Sequence, residues 1–503
     1  MSILFLMVEP NRVGGFPFRK ADPEERKSNF CEVQQPYSEE EVMREAERCL
    51  LCGTPVCIDA CPVLLDVRGM CEAVARGDFK TSYERIRETN PLLGVTARCC
   101  PQLQGLCEDA CVLKWSGQPI GIGLIQRYVA DWERKHRQEP VPVSVAEDTG
   151  KKVAVIGAGP AGLAGSALLR RYGHQVTIYE ASSMAGGTAW YGVPDYHLPK
   201  DVLLDEIENI KSMGVDIRTN TIVGKDITLS QLLNNNDAIL ITTGSKDTVT
   251  LDNPGSNLQG VLSGYDFLAS VYLEGVDDYL KNPKYDLGTE IVVIGGGDTS
   301  LDCARTALRL TKGKGNVTVL CIQPETELHV DPIMLEEAKE EGVKFKFLVQ
   351  TRSFEGDTGG HVTSAIVDNM RIGTPDQSGK KSLEPIPDKA FKIQCSTVVV
   401  AIGRGPNSFL QKKVGLKTGK RNAIAIDNDN KTSMEGVFAA GDVTTGETLI
   451  VKAMEKGREG AQRVHEYMMH LEANHVSFFE KYYKEKSYDR MVAGKEDRGL
   501  PPD

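Results

Sequence analysis

Residues 151–182 read KKVAVIGAGPAGLAGSALLRRYGHQVTIYEAS and decide the fold. An apolar strand runs into Gly157, Gly159 and Gly162, an Ala- and Leu-rich helix follows, and a second apolar strand ends at Glu180. Glycines at this spacing let backbone N–H groups approach a pyrophosphate, and Glu180 can accept hydrogen bonds from a ribose. The stretch therefore predicts a Rossmann-like unit that binds a dinucleotide.

The glycine pattern returns in TEIVVIGGGDTSLDCARTALRL, residues 289–310. Gly295, Gly296 and Gly297 follow a predicted strand, and Ser300 replaces the third glycine of the pattern. This predicts a second nucleotide site, and the alternative is a degenerate Rossmann unit that binds nothing.

The second strand of that unit, NVTVLCIQPE, bears on the choice of nucleotide. It ends with Ile322 and Gln323, so no arginine or lysine stands where an adenosine 2′-phosphate is normally met. This favours NAD over NADP. Arg305, Lys312 and Lys314 are close enough in sequence to compensate, so the choice stays open.

Two later segments complete the predicted flavin site. A strand in STVVVAIGRGPNS closes on Gly403, and MEGVFAAGDVTTGETLIVKAMEKGREGAQR contains a strand, Gly441 with Asp442, and a helix. Asp442 can bind a ribityl chain, and a helix that begins near 447–449 can turn the positive end of its dipole towards a flavin. The alternative is an Asp that serves only as a helix N-cap.

Cysteine usage indicates a metal-binding region ahead of these units. Of 13 cysteines, 10 lie between Cys31 and Cys111, with the spacing C-x2-C-x4-C-x3-C-P from Cys49 and C-P-x5-C-x3-C from Cys100. Compact runs that end in Cys-Pro are typical of iron–sulfur proteins, whereas zinc usually takes paired C-x2-C units. Iron–sulfur binding is predicted, with zinc and purely structural cysteines as alternatives.

The ligand count leaves one position open. Seven clear thiolates are one short of two four-iron clusters, and the missing ligand is to be sought in Cys99, Cys71, Cys31 or a side chain other than cysteine. Apolar positions recur at helical spacing in SEEEVMREAERCL and MCEAVARGDFKTSYERIRETN, so the region is predicted to be helical.

Length, composition and charge limit the number of domains, the kind of partner and the location of the protein. A chain of 503 residues is too long for one hydrophobic core and predicts roughly two to four domains. A net charge of -11 disfavours nucleic acid as a partner. The sequence has no apolar run long enough for a membrane helix, and the opening MSILFLMVEP lacks the features of a signal peptide, so a cytoplasmic protein is expected.

These motifs resemble a known family across residues 30–475. The most specific stretches are RCLLCGTPVCIDACPV, CCPQLQGLCEDACVLKWSGQPIGIGLIQRYVADW, GGTAWYGVPDYHLPK and VVIGGGDTSLDCARTALR. They resemble the small subunit of glutamate synthase, the matching half of dihydropyrimidine dehydrogenase, and the large subunit of NADH-dependent ferredoxin:NADP oxidoreductase. The second stretch is closer to the last of these.

The resemblance implies an α/β protein with two Rossmann-like dinucleotide-binding domains, for FAD and for NAD(P), preceded by a helical iron–sulfur domain. The helical domain would occupy residues 1–148 and bind two 4Fe–4S clusters. The FAD domain would comprise 149–250 and 391–475, and the NAD(P) domain, 251–390, would be inserted between break points near Gly244 and Ala390. A tail would follow at 476–503.

The resemblance also implies the residues of each site. One cluster would take Cys49, Cys52, Cys57 and Gln126, and the other Cys61, Cys100, Cys107 and Cys111, with Cys100 preferred to Cys99 because it precedes proline. The implied cofactor-binding residues are Gly157, Gly159, Gly162, Glu180, Gly187, Thr188, Leu198, Val223, Gly244, Gly441, Asp442, Thr448, Leu449, Gly295, Gly296, Gly297, Asp298, Thr299, Arg305, Ile402 and Gly403.

The implied activity is hydride transfer between NAD(P)H and FAD, followed by single-electron steps through the clusters to partner subunits, with ferredoxin as one candidate. FAD carries the chemistry, so no catalytic acid or base is predicted. A bifurcating transhydrogenase-type complex is the first expectation and a glutamate-synthase-type complex the second. The alternative of another class, a non-catalytic electron bridge or scaffold, is disfavoured by the intact GGGDT run.

Overall fold

The computed structural model describes residues 19–137, 143–375 and 381–471. The opening sequence and the predicted tail at 476–503 lie outside these residues. No described helix combines the length and the apolar character that crossing a bilayer requires.

The first part of the chain is helical, as the sequence predicts. Its buried residues, such as Ile58 and Ile125, belong to one core with Val153 and Ile178 of the sheet that follows, so the helical region packs directly on that sheet. The helices are α1 (Pro23–Arg26), α2 (Glu39–Glu47), α3 (Val56–Asp59), α4 (Val67–Ala75), α5 (Phe79–Arg87), α6 (Leu93–Cys99) and α7 (Ile122–His136), with a 3-10 helix at Val112–Ser116.

Alternating strands and helices follow, which is the pattern of a parallel sheet with helical crossovers. The elements up to the first domain crossing are β1 (Lys152–Ile156), α8 (Pro160–Arg171), β2 (Gln175–Tyr179), α9 (Thr188–Tyr191), α10 (Lys200–Ser212), β3 (Val215–Arg218), α11 (Leu229–Asn235), β4 (Ala238–Ile241) and β5 (Ser245–Thr248).

A second unit of the same kind is inserted next. Its elements are β6 (Val261–Ser263), α12 (Gly264–Tyr272), α13 (Val276–Lys281), β7 (Glu290–Ile294), α14 (Asp298–Leu310), β8 (Asn316–Leu320), a 3-10 helix at Glu325–Glu327, α15 (Pro332–Glu340), β9 (Lys344–Lys346), β10 (Val349–Gly356), β11 (Val362–Pro375), β12 (Lys381–Gln394) and β13 (Thr397–Val400).

The chain then returns to the first unit. The returning elements are β14 (Arg404–Pro406), α16 (Phe409–Val414), a 3-10 helix at Lys420–Asn422, β15 (Val437–Ala439), α17 (Asp442–Thr445) and α18 (Ile450–Met468). The first sheet has the order β15-β4-β1-β2-β3 and the second β6-β13-β7-β8-β9, and the strands of each pair in parallel. The α/β class with two Rossmann-like units behind a helical region is confirmed.

Strand pairing corrects one predicted domain boundary. β13, residues 397–400, pairs with β6 and β7 of the second sheet, so a boundary at residue 390 would cut off the last strand of that sheet. The chain crosses between the units at β5 and at β14, and these two strands pair with each other. We therefore place the second boundary at β14, while the first stays close to Gly244.

Helices α8 and α18 pack with their backbones almost in contact. A Cβ at Gly457 would lie 2.0 Å from the carbonyl oxygen of Ala161, and one at Gly165 would lie 2.8 Å from the carbonyl oxygen of Gly457. Only glycine fits at this crossing, and the contact fixes α18 against the helix that follows the first glycine turn.

Residues 19–37, here called the N-terminal strap, tie the three parts of the chain together. The Val33 N–H donates to the Tyr196 carbonyl oxygen at 2.9 Å. Arg26 is 1% exposed and its Nε donates to Glu341 of the second unit at 3.0 Å. Glu341 also accepts from Arg305 and Arg309, so Arg26 anchors the strap in a buried ion cluster.

Candidate functional site

The first glycine turn joins β1 to α8 and excludes side chains at two positions. Gly157 has a φ of +106°, and a Cβ there would lie 2.7 Å from the Thr242 carbonyl oxygen. A Cβ at Gly162 would lie 1.9 Å from the carbonyl oxygen of Gly157. A Cβ at Gly159 would meet only the Cα of Gly187, at 3.9 Å, so the turn is open at this point, where a pyrophosphate needs to approach.

Glu180 lies directly after β2 and is buried beside this turn. Its carboxylate accepts hydrogen bonds from the backbone N–H groups of Ala158 and Ser182, both at 2.8 Å. These bonds hold the carboxylate at the middle of the glycine turn, where a ribose hydroxyl could donate to it.

A cleft beside the turn brings together most of the predicted flavin-binding residues. Leu198 is an exception: its side chain is fully buried in the core shared with the helical region and does not line this cleft, and its role stays a prediction. Gly162 and Gly441 pack within turns, and Leu449 lines the neighbouring cleft. The predicted residues that line the flavin cleft are Gly157, Gly159, Glu180, Gly187, Thr188, Val223, Gly244, Asp442 and Thr448.

Asp442 is the first residue of the short helix α17 and not the cap of the long helix. Its Oδ1 accepts the hydroxyl of Thr448 at 2.7 Å, and burial raises its pKa. The long helix α18 begins at Ile450, and no side chain caps it at Leu449. Its first backbone N–H groups and the positive end of its dipole are thus available at the cleft that Ile450 lines.

The second glycine turn joins β7 to α14 and lines a cleft of about 920 Å³. A Cβ at Gly295 would lie 2.2 Å from the Ala401 carbonyl oxygen, whereas nothing lies within 4 Å of a Cβ at Gly297. The turn is tight where it packs on β13 and open where a nucleotide phosphate would lie. The predicted residues in this lining are Gly295, Gly296, Gly297, Asp298, Thr299, Ile402 and Gly403, joined by Leu449.

Arg305 does not line the nucleotide cleft, and its predicted role is corrected. The side chain is 1% exposed and forms ion pairs with Glu337 at 2.9 Å and Glu341 at 2.7 Å. Its guanidinium also lies 4.7 Å from the centre of the Tyr196 ring. Two carboxylates already neutralise this arginine within the core, so it cannot serve a phosphate.

The flavin cleft and the nucleotide cleft meet at a small group of residues. Arg404 is held there by Glu447, with Nε to Oε1 at 3.0 Å, and donates to the hydroxyl of Thr188 at 3.3 Å. Its guanidinium lies 5.4 Å from the centre of the Tyr265 ring. Sequence reasoning missed Arg404, although it directly follows Gly403 in the motif. The residues that line both clefts are Thr188, Arg404, Thr448 and Ile450.

The cysteines of the helical region fall into two sets. Burial, followed by the nearby thiols of Cys49, Cys111 and Cys52, raises the pKa of Cys57 to about 12. The same influence of Cys49 and Cys111 reaches Cys52, after that of burial. Cys49, Cys52, Cys57 and Cys111, here called the outer set, are therefore neighbours.

The remaining ligand candidates form the inner set, Cys61, Cys100 and Cys107. Burial and then the charge of Cys61 raise the pKa of Cys100. For Cys107 burial comes first, followed by the charges of Glu108, Cys61 and Cys100. The charge of Cys57 follows for Cys107, so the inner set lies beside the outer set.

Cys111 lies beside Cys57, whereas the resemblance assigns it to the cluster of Cys61. Cys57 in turn influences Cys107, so the two sets adjoin, and both implied ligand sets stay predictions. Gln126 is buried, and its Nε2 donates to the Leu93 carbonyl oxygen at 3.0 Å and to the Thr96 hydroxyl at 2.6 Å, both on the helix that leads to Cys100. Its role as the ligand other than cysteine stays a prediction.

Three cysteines lie outside both sets. A hydrogen bond to Cys49 and burial raise the pKa of Cys71, which therefore lies behind the outer set. Cys31 is exposed in the N-terminal strap, and Cys99 lines the nucleotide cleft together with Pro101. The inner set, which contains Cys100, is thereby adjacent to the nucleotide cleft.

In the part of the chain that the structure describes, no group of three or more His, Cys, Asp or Glu side chains surrounds a point where a single metal ion could bind. A four-iron cluster has a different requirement, because its four ligands bind separate iron atoms. Two sets of soft thiol ligands fit iron–sulfur chemistry.

Two protein families match the chain. Residues 151–457 match the family described as pyridine nucleotide-disulphide oxidoreductase. Residues 26–138 match the family described as dihydropyrimidine dehydrogenase domain II, 4Fe-4S cluster. The first match covers both Rossmann-like units, and the second covers the two cysteine sets.

Similar proteins extend the likeness beyond single domains. The chain is 32% identical over 457 residues to the glutamate synthase (NADPH) small chain of Azospirillum brasilense, covering 88% of this chain and 92% of that protein. It is 33% identical over 454 residues to the putative oxidoreductase AegA of Escherichia coli, covering 88% and 68%. It is 34% identical over 439 residues to NADP(+)-dependent formate dehydrogenase subunit beta of Moorella thermoacetica, covering 82% of this chain but 60% of that one.

A solved structure shares the fold at low identity. FprA from Mycobacterium tuberculosis, in complex with NADPH, has a TM-score of 0.54 at 16% identity, over 64% of this chain and 85% of that one. This likeness covers the arrangement of the sheets alone.

Proposed function

The chain belongs to the pyridine nucleotide-disulphide oxidoreductase family, and on that premise we propose that it is an electron-transfer subunit that oxidises a nicotinamide nucleotide and delivers electrons to a partner protein. It is an FAD-dependent oxidoreductase with an NAD(P) site and an N-terminal 4Fe–4S region, so the iron–sulfur interpretation of the cysteines is confirmed over zinc. The number of clusters, two, stays a prediction.

The observation that carries the proposal is the shared wall of the two clefts. Because Thr188, Arg404, Thr448 and Ile450 line both, a nucleotide and a flavin bound there would be in contact. Bound FAD accepts a hydride from nicotinamide and releases electrons singly to carriers such as iron–sulfur clusters.

Side chains and a helix end place positive charge where the two clefts meet. Arg404 is fixed by Glu447 and Thr188 and provides a permanent positive charge. The start of α18 adds the positive end of a helix dipole at Ile450. Both favour negative charge on a ligand at the junction, which is the sign that a reduced flavin develops.

The two cysteine sets support a direction for the electrons. The inner set borders the nucleotide cleft through Cys99 and Pro101. In the outer set, Cys52 and Cys57 are half-buried and therefore accessible from the surface. We infer that electrons pass from the clefts to the inner set, then to the outer set, and leave there.

Anaerobic reduction tests the proposal. Purified protein should be reduced by a nicotinamide nucleotide, with the flavin absorbance bleached and cluster electron paramagnetic resonance signals appearing. Cys57→Ser should spare dye reduction but block delivery to the native partner. A chain that neither reduces a dye nor changes its spectrum with NADH or NADPH would instead fit the scaffold interpretation.

The identity of the partner is a finer proposal. Relatives are named as a small chain or a subunit, which supports a multisubunit complex. The match across 92% of a glutamate synthase small chain favours a complex of that type as one candidate. The bifurcating transhydrogenase-type complex and ferredoxin stay predictions, and identification of co-purifying subunits would decide among them.

A further inference from the structure

The side chain of Gln323 folds over the second glycine turn. A Cβ at Gly296 would lie 2.7 Å from Gln323 Oε1, so the amide lies directly against the middle residue of the turn. This Oε1 atom is buried and has no hydrogen-bond partner. Gln323 also lines the nucleotide cleft, together with its neighbour Ile322.

The first site shows what this position does. There Glu180, which follows the second strand, accepts the N–H of Ala158, the middle residue of its glycine turn. Gln323 lies after the second strand of the second unit, against the corresponding middle residue, Gly296. A buried acceptor without a donor is unfavourable by about 1–3 kcal/mol, so the oxygen is suited to a donor that arrives with a ligand.

Among the described residues, no lysine or arginine side chain lines this end of the cleft. Arg305 is neutralised by Glu337 and Glu341, and Lys312 and Lys314 follow the far end of the 13-residue helix α14, about 20 Å from the glycine turn. The basic side chains that do line the cleft are His197, His329, Arg404 and Lys452.

None of those four basic residues is placed to bind a 2′-phosphate. Arg404 and Lys452 lie at the flavin end, next to the start of α18, and Arg404 is paired with Glu447. His329 pairs its backbone with Gly297, at the pyrophosphate end of the turn. The acidic residues Asp298, Asp302 and Asp331 also line the cleft, and they offer no positive charge to a 2′-phosphate.

We propose that Gln323 is the specificity-determining residue of the nucleotide site: its amide oxygen accepts the adenosine ribose 2′-hydroxyl, so the chain uses NADH in preference to NADPH. The inference rests on the proposed function, because it assigns the substrate of the same cleft. It sets the chain apart from relatives whose names specify NADPH or NADP(+).

The test compares the two nucleotides in kinetics and in binding. Dye reduction by the full-length holoprotein gives kcat/KM for NADH and NADPH, and calorimetry gives Kd for NAD+ and NADP+. Wild type should favour NADH by at least about tenfold. Gln323→Leu removes one hydrogen bond, so it should lower kcat/KM for NADH and raise the Kd for NAD+ by about tenfold each. The values for NADPH and NADP+ should not change.

Two further variants keep the test decisive if Gln323→Leu folds poorly. Gln323→Glu keeps the acceptor and adds a negative charge, so NADH use should persist while NADPH use falls further. The double change Ile322→Arg and Gln323→Arg should reverse the preference towards NADPH. Lys312→Gln changes an exposed side chain outside the cleft and is the matched control. It should alter neither kcat/KM nor Kd for either nucleotide.

The outcomes separate this inference from the function beneath it. A wild-type preference for NADPH, or an equal loss of both nucleotides in Gln323→Leu, would overturn the role of Gln323 and leave the oxidoreductase function intact. The role of Gln323 would also be overturned if His329→Ala lost NADPH binding while Gln323→Leu left the affinity for both nucleotides unchanged. Failure of both nucleotides to bind would overturn the proposed function itself.

Discussion

Cys111 is the residue on which the composition of the two cysteine sets depends. We expect Cys111→Ser to impair the same cluster as Cys52→Ser, because both side chains neighbour Cys57. Each variant should lose about four of about eight irons. Iron analysis and electron paramagnetic resonance should show the same surviving signal in both.

A variant of the inner set provides the comparison. Cys107→Ser should alter the other signal and leave the one lost in Cys52→Ser intact. If Cys111→Ser instead removed the signal that Cys107→Ser removes, Cys111 would belong to the inner set as the family resemblance implies.

Asp442 provides a second prediction at the scale of single residues. Asp442→Ala removes the carboxylate that lines the flavin cleft and accepts the Thr448 hydroxyl. A hydrogen bond to a charged group is worth about 1.5–3 kcal/mol, so the Kd for FAD should rise about ten- to a hundredfold. Flavin fluorescence titration of deflavinated protein measures it. Asp278→Ala, an exposed carboxylate on α13, should leave the Kd unchanged, and an unchanged Kd in Asp442→Ala would remove Asp442 from the site.

The positions of the glycine turns could be predicted because their determinants are local. Gly157, Glu180 and Gly295 lie within short motifs whose spacing fixes the turn, so the sequence alone indicates their positions. The prediction for Arg305 was wrong because its partner Glu341 is 36 residues away along the chain. The sequence around the motif does not show that this arginine is already paired. The ligand sets of Cys111 and Gln126 stay predictions, since spacing alone does not say which cysteine runs meet in space.

At the scale of elements, the crossing of α8 and α18 depends on Gly457. Gly457→Ala would place a Cβ 2.0 Å from the Ala161 carbonyl oxygen, so the helices must separate. The gain in helix propensity is about 1 kcal/mol, but overpacking costs about 1–3 kcal/mol and this clash is with backbone, so we expect net destabilisation. Thermal unfolding should show a lower Tm.

The matched control is Gly419→Ala, because nothing lies within 4 Å of a Cβ there. FAD content should also fall in Gly457→Ala, since α18 carries Ile450 to the flavin cleft. A Tm equal to that of wild type would show that the helices separate without cost.

Element prediction was accurate where hydrophobic pattern and turn chemistry agree. The strands around both glycine turns and the helices of the cysteine region were predicted from pattern alone. The boundary at residue 390 was placed too early because the antiparallel strands β10 to β12 separate β13 from the rest of the second sheet along the chain. After them the chain returns to that sheet as β13. Nothing local in TVVV distinguishes a strand of one Rossmann sheet from a strand of the other.

At the scale of the whole molecule, the buried ion cluster around Glu341 links the N-terminal strap to the second unit. Burial alone would raise the pKa of Glu341, but Arg309 and Arg305 outweigh it and lower the pKa to about 2. A folded-state pKa below the unfolded value, about 4.3, stabilises the fold above that value, and the stabilisation is lost as the pH falls towards 2.

The expected result is a pH-dependent difference between variants. The free energy of unfolding of wild type should exceed that of Glu341→Gln at pH 7, and the difference should narrow as the pH is lowered from about 5 to about 3. Urea titrations at several pH values measure it. Glu325→Gln, an exposed surface pair with Lys339, should show no such trend. A difference that stays constant with pH would mean that the pKa of Glu341 is the same in the folded and the unfolded protein.

The strap also has a consequence for the order of synthesis. Arg26 precedes Glu341 by 315 residues. At about 5–20 residues per second, a ribosome needs roughly 15–60 s to extend the chain from one to the other. The cysteine sets emerge early in that interval, while the carboxylate that will bury Arg26 has not yet been made. We therefore expect iron delivery to a nascent chain whose first residues are still unattached, and a translational pause before residue 341 would lengthen the time in which clusters can be loaded.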